Sequence, residues 1–238
     1  MLVHNLQVTS HNPRMNWLRG AWAVFLNDVR LELRQRYALN TLALFVAGAM
    51  LLAAFAVGRA GPIGPSVRAG LLWIVVLFAA SLGLGRVFVG EEERGTGLLL
   101  RLNVRPGAVY AGKLLFNTTL TLGLNAAAVL LFVVLLGVTV EVPGLLAAVL
   151  ALGALGLAGT MTLLGAIIAR TARRGPLMPV LAFPLLLPLL SSVVRATREA
   201  LLGGAGWTAA RGELLVLVGF AGAVVTASFL LFDYVWRD

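Results

Sequence analysis

The chain of 238 residues has no cysteine and only two histidines. The first absence excludes disulfides, thiolate metal sites and a C-x-x-C-H haem attachment site, and leaves the redox compartment undetermined. The second confines imidazole to His4 and His11, in a polar N-terminal arm, so no histidine in the apolar part of the chain can bind a metal or haem or activate a serine. Charge is scarce, at 12% of residues. No G-x-x-x-x-G-K-[ST] phosphate loop exists, because Gly112-Lys113 is followed by Leu114 and lacks the upstream spacing. The carboxylates lie outside the apolar runs, so an ion-coupled transporter would lack its usual intramembrane acid. Directional work by this chain would draw its energy from another one.

What is present is hydrocarbon: 60% of the residues are hydrophobic, against roughly 45–50% in an average soluble domain. Stretches without Asp, Glu, Lys or Arg cover Tyr37–Gly58, Ala69–Gly85, Leu114–Val140, Val142–Ala169, Gly175–Val194 and Leu214–Phe232. A bilayer core about 30 Å thick needs roughly 20 helical residues, so these are six spans, at about 38–58, 69–89, 114–137, 143–169, 176–194 and 214–232. The runs are apolar all round, without period-2 alternation, which excludes a barrel. The expected fold is therefore an all-α integral membrane protein, with a disordered arm at 1–14 and one membrane domain at 15–238. The first apolar run starts only at residue 37, behind charges, which argues against a cleaved secretory signal.

Basic residues set the expected orientation. Thirteen fall on the side of the N-terminal segment, the second and fourth loops and the tail, against five on the other side (Arg59, Arg68, Arg195, Arg198 and Arg211). The positive-inside rule then puts both termini in the cytoplasm of a multi-pass inner-membrane protein. The net charge of +9 reads as this topology signal and as attraction to anionic lipid, not as a nucleic-acid footprint.

Before the first span, Leu18, Trp22, Phe25, Val29 and Leu33 recur at helical spacing, with Asp28, Arg30, Glu32, Arg34 and Arg36 mostly elsewhere on the wheel. This is an amphipathic interfacial helix over 16–36, either an anchor for the first span or an elbow that also touches a partner. In the fifth span, Pro184 and Pro188 each remove an internal helix hydrogen bond, which makes the segment with Pro179, Pro184 and Pro188 a kinked structural helix or a hinge. Gly153, Gly156, Gly159 and Gly165 permit close helix packing in the fourth span. Arg86 is the charge set deepest in a run, and it either snorkels to the interface or is functional. Beyond the fifth span, RATREALLGGAGWTAARGE reads as a short amphipathic helix with a Gly-rich break.

The stretch FVGEEERGTGLLLRLNVRPGAVYAGKLL, residues 88–115, holds seven of the chain's 29 charges between two apolar runs. Glu91, Glu92 and Glu93 suit the positive end of a short helix. Arg94, Gly95, Thr96, Leu99 and Arg101 follow, and Arg105-Pro106 forms a turn before Lys113 enters the next span. This is a docking element for a partner.

The E-x-x-x-G-T pattern, the apolar segment, the Pro turn and the G-K entry resemble the coupling segment of ABC-2-type permeases. Together with FLNDVRLELRQRYALNTLALFV and GPLMPVLAFPLLLPLL, in this order and with six spans, the chain resembles the CcmB family, the haem exporter protein B of cytochrome c maturation. Gly97-Leu98 stands where many ABC-2 permeases carry an acidic residue. The resemblance implies a non-catalytic permease-like subunit beside a CcmA-like ATPase that binds the ATP, a CcmC-like haem-handling membrane partner and, indirectly, the CcmE-like haem chaperone. Haem is then handled by the complex, with no cofactor on this chain. A different ABC-2 permease, exporting a lipid, drug or polysaccharide, is the alternative.

Overall fold

The computed structural model describes residues 13–34, 36–60, 63–84, 105–168 and 177–237. The described residues form helices joined by short connections, without strands: α1 (Pro13–Arg34), α2 (Arg36–Ala60), α3 (Pro65–Leu84), α4 (Pro106–Leu136), α5 (Pro143–Ile168), α6 (Leu177–Leu202), a single turn α7 (Gly206–Ala209) and α8 (Arg211–Arg237). Six of these, all but α1 and α7, are long and apolar enough to cross a membrane. The spans expected from the charge-free runs are all there.

Helices in lipid gain no hydrophobic energy from meeting one another, so the bundle is held by close packing and by polar contacts. α5 is the middle of it, touching α3, α4, α6 and α8. Its glycines are what let it sit there. A Cβ on Gly153 would run into the Trp73 ring of α3, and one on Gly156 would lie 2.7 Å from Leu189 of α6. On Gly159 the gap to Val224 of α8 is 3.1 Å. The small-residue pattern thus permits three different neighbours to approach one helix. By contrast only 17% of the apolar window is buried in α2 and in α8, against 61% in α5, so the former two line the lipid-facing surface.

Several hydroxyl groups within the spans are returned to the backbone of their own helix. Thr41 donates to the Tyr37 carbonyl, Ser81 to Leu77 and Thr119 to Leu115, each at 2.8 Å. This is the internal satisfaction that hydrocarbon demands.

Several element bounds differ from the sequence expectation. α4 begins at Pro106, eight residues before the charge-free run, because Pro at the first helical position has a preset φ and lacks an N–H that would be orphaned there anyway. Its far end closes on Gly137 in the left-handed region, φ 59°. α6 runs on to Leu202 as one helix, so 195–202 continues the span instead of forming a separate amphipathic helix. Its buried residues Ala182, Leu186, Leu189, Val193, Ala196 and Ala200 keep a helical spacing past the last apolar stretch, which is why the helix does not stop. The Gly-rich break follows at Gly203 and Gly204, both with positive φ. Pro184 and Pro188 lie inside an unbroken α6, and Pro179 lies in its first turn, where the missing N–H costs nothing. The arm 1–12 and Arg86 lie outside the described residues.

Candidate functional site

The helix before the first span and the helix after the second loop are joined by charge. Lys113 of α4 is fully buried, and its Nζ lies 3.4 Å from Oδ2 of Asp28 on α1, itself 6% exposed. The separation exceeds the 2.7–2.9 Å of a short charge-assisted hydrogen bond, so this is an ion pair in an environment of low dielectric. Beside it the two backbones nearly touch: a Cβ on Gly112 would lie 2.5 Å from the Ala21 carbonyl oxygen and 2.7 Å from Val24 Cβ. Glycine at 112 is therefore required by the approach of α1, and Lys113 is carried to Asp28 by it.

The face of α1 that meets α4 consists of Ala21, Val24 and Asp28, with the indole Nε1 of Trp17 placed 3.5 Å from where a Gly107 Cβ would stand. The apolar stripe seen in the sequence points elsewhere. Leu18, Trp22 and Leu33 are exposed, with the Trp22 and Phe25 rings 5.0 Å apart. These members of the stripe face outward, and of the positions that looked polar Asp28 is turned inward while Arg30 and Arg34 stay exposed. Asp28, which the wheel left among solvated charges, is thus a buried contact. Its signal was a spacing of four, three and four at 17, 21, 24 and 28, together with a lone lysine at a span entrance.

On its opposite flank the start of α4 is held by α8. Tyr110 meets Phe229 edge-on at 4.8 Å and Phe232 at 5.3 Å. Further along, a polar file at spacing four follows Lys113. Asn117 donates to Thr162 Oγ1 of α5 at 2.8 Å, Thr121 donates to the Asn117 carbonyl at 2.7 Å, and Asn125 donates to the Leu150 carbonyl of α5 at 3.1 Å. α4 is thereby pinned to α1, α5 and α8 at once, and displacement of its first turns must move all of them.

At the other end of the bundle the indole of Trp73 on α3 donates to Thr197 Oγ1 on α6 at 2.9 Å, both buried. The surface pairs there, Arg195–Glu213 at 3.5 Å and Arg198–Glu199 at 2.9 Å, are exposed and worth little.

Of the residues singled out for docking, Arg105 is the exposed N-cap of α4, Pro106 is its first residue and Lys113 faces inward to Asp28. Glu91, Glu92, Glu93, Arg94, Gly95, Thr96, Leu99 and Arg101 lie outside the described residues. Among the described residues there is no group of three or more His, Cys, Asp or Glu side chains that could hold a metal ion.

A family model described as CcmB protein matches residues 19–233. The chain belongs to the CcmB family. Its relatives agree. A protein of Rhodobacter capsulatus named heme exporter protein B is 31% identical over 207 residues, which is 85% of this chain and 92% of that one. Another of that name, from Bradyrhizobium diazoefficiens, is 29% identical over 183 residues, covering 76% and 82%. The match takes in α1 from Arg19, so the interfacial helix and its Asp28 are part of the CcmB body. With six apolar helices this CcmB-family chain is a multi-pass membrane protein.

Proposed function

We propose that the chain is the membrane subunit of an ATP-driven haem exporter complex acting in cytochrome c maturation. A separate CcmA-like subunit binds and hydrolyses the ATP, and this chain, itself non-catalytic, passes the resulting motion to haem delivery or to release of a haem-loaded CcmE-like chaperone. A CcmC-like membrane partner handles the haem. Both termini face the cytoplasm of the bacterial inner membrane, as the basic residues dictate. The ATPase docks on the stretch from Glu91 to Arg105, with Glu91, Glu92 and Glu93 presenting charge, and Leu99 and the arginines completing the contact.

The observation that supports this reading is the buried pair Lys113–Asp28, eight residues beyond Arg105. A push on a loop is useful only if the next element is stiff and coupled to others. α4 is both, since its first turns are locked to α1 by charge and backbone contact and to α8 by aromatic contact. The helix Pro179–Pro188 region of α6 is the proposed hinge, because each internal Pro removes one hydrogen bond from the helix.

The test is charge reversal, Glu92→Lys with Glu93→Lys. Losing complementary charge at a buried contact costs roughly 2–5 kcal/mol, so co-purification with the ATPase weakens and cytochrome c assembly fails while the protein level stays near normal. Retention of the ATPase and wild-type cytochrome c yield would make the stretch a solvated connector and end this reading.

A further inference from the structure

Beside the junction of α1 and α4, a groove of about 390 Å³ runs along the outer surface of the bundle. Val29 and Leu33 of α1 close one end, and α2 and α4 form the walls. Its depth comes from small residues: Ala43, Gly123 and Ala127 line it and are exposed, and a Cβ on Gly123 would meet nothing within 4 Å. The lining is apolar apart from Glu32 at the α1 end and Thr119, whose hydroxyl is spent on the Leu115 carbonyl.

Its dimensions specify an occupant. From Phe116 to Ala127 α4 rises about 16 Å, close to half of a hydrocarbon core about 30 Å thick, so the groove is one leaflet deep. Its volume over that length gives a section of a few tens of Å², below the roughly 80 Å² of a helix 10 Å across and of the order of one alkyl chain. No histidine, methionine, cysteine or tyrosine lines it to bind a porphyrin metal. Glu32 is the one charged residue in the lining, while Arg30 and Arg34 are exposed and each follows a lining residue, Val29 and Leu33, directly in the chain, so the α1 end carries two cations to one acid.

We infer that this groove binds one acyl chain of a phospholipid from the leaflet on the α1 side, with the phosphodiester at the level of Arg30 and Arg34. The lipid then forms part of the seat of α1, touching the C-terminal half of the helix whose middle is fixed by Asp28 and Lys113. This holds whatever drives the complex.

Native mass spectrometry of the whole chain released from lipid nanodiscs tests it. The wild type retains one phospholipid. Gly123→Leu and, separately, Ala43→Leu each fill the groove from a different helix, and retention falls on the order of tenfold in both, as the contact of a few methylenes is lost, with helicity by circular dichroism unchanged. Added dialkylglycerol, which lacks the phosphate, fails to replace the phospholipid. Retention undiminished in both filled variants overturns the inference, and so does an adduct that proves to be a second copy of the chain or a porphyrin.

Discussion

Trp73 and Thr197 stand 124 positions apart in the chain and share a buried hydrogen bond of 2.9 Å that ties α3 to α6. Thr197→Val keeps the shape and strands the indole N–H. Hydrogen bonds between membrane helices average about 0.6 kcal/mol with a maximum near 1.7, and an unsatisfied buried donor adds to the loss, so destabilisation of about 1–2 kcal/mol is expected. Thr197→Ser keeps the bond and most of the stability. A double-mutant cycle with Trp73→Phe, followed by thermal unfolding in detergent, reads the coupling; additivity of the two changes would show that the bond contributes nothing.

Removing one member of a buried ion pair takes from the other charge a partner it was folded against, at a cost of about 3–5 kcal/mol, whereas replacing both by apolar residues is often neutral. Asp28→Leu and Lys113→Met should therefore each destabilise strongly, and the double variant should recover most of the lost stability. The same cycle measured on cytochrome c yield separates stability from coupling. If the double variant is stable yet inactive, the pair matters for transmission of motion.

Gly112→Ala places a Cβ 2.5 Å from a carbonyl oxygen that cannot rotate away, so α1 must lift from α4. Since the chain contains no cysteine, a single Val24→Cys reports on the junction without background. Val24 is 4% exposed, and its thiol should resist a membrane-impermeant maleimide until Gly112→Ala is added. Gly222→Ala on α8, over open space, is the control that should leave labelling unchanged.

Val142 donates its N–H to the Ala200 carbonyl at 3.0 Å, and Gly203 packs against Glu141, so the α4–α5 and α6–α8 connections lie at one end of the bundle. Reporter fusions at 141 and 205 should therefore agree with each other and report the outside, with fusions at 100 and 173 inside. Disagreement between 141 and 205 would contradict the fold, while agreement on the cytoplasmic side would reverse the orientation.

The spans were legible in the sequence because lipid imposes one requirement on every residue of a run, and a local window detects it. The ends of α4 and α6 were not, since both helices continue past their charge-free stretches: α4 starts at a helix-compatible Pro, and α6 keeps its buried stripe through Ala200. Asp28 and Lys113 were each visible but were assigned outward roles. A wheel shows which residues share a face and not which face meets protein, and in an interfacial helix the greasier face meets lipid. The pairing of Trp73 with Thr197 depends on α3 lying against α6, and no local pattern carries that. Pro184 and Pro188 are interior positions of α6, and the buried Leu186 and Leu189 lie beside them in a helix that continues past both.

α4 has 31 residues between Arg105 and Gly137 and is about 46 Å long, half as long again as a hydrocarbon core about 30 Å thick. A helix of that length does not match the bilayer upright. It absorbs the excess by tilting or by projecting into the headgroups. It also touches α1, α2, α3, α5 and α8. A change of membrane thickness that alters the tilt of α4 is therefore passed to each of these helices. Bilayer thickness, set by acyl length and sterol-like rigidity, is in this way a mechanical input to the junction of α4 with α1.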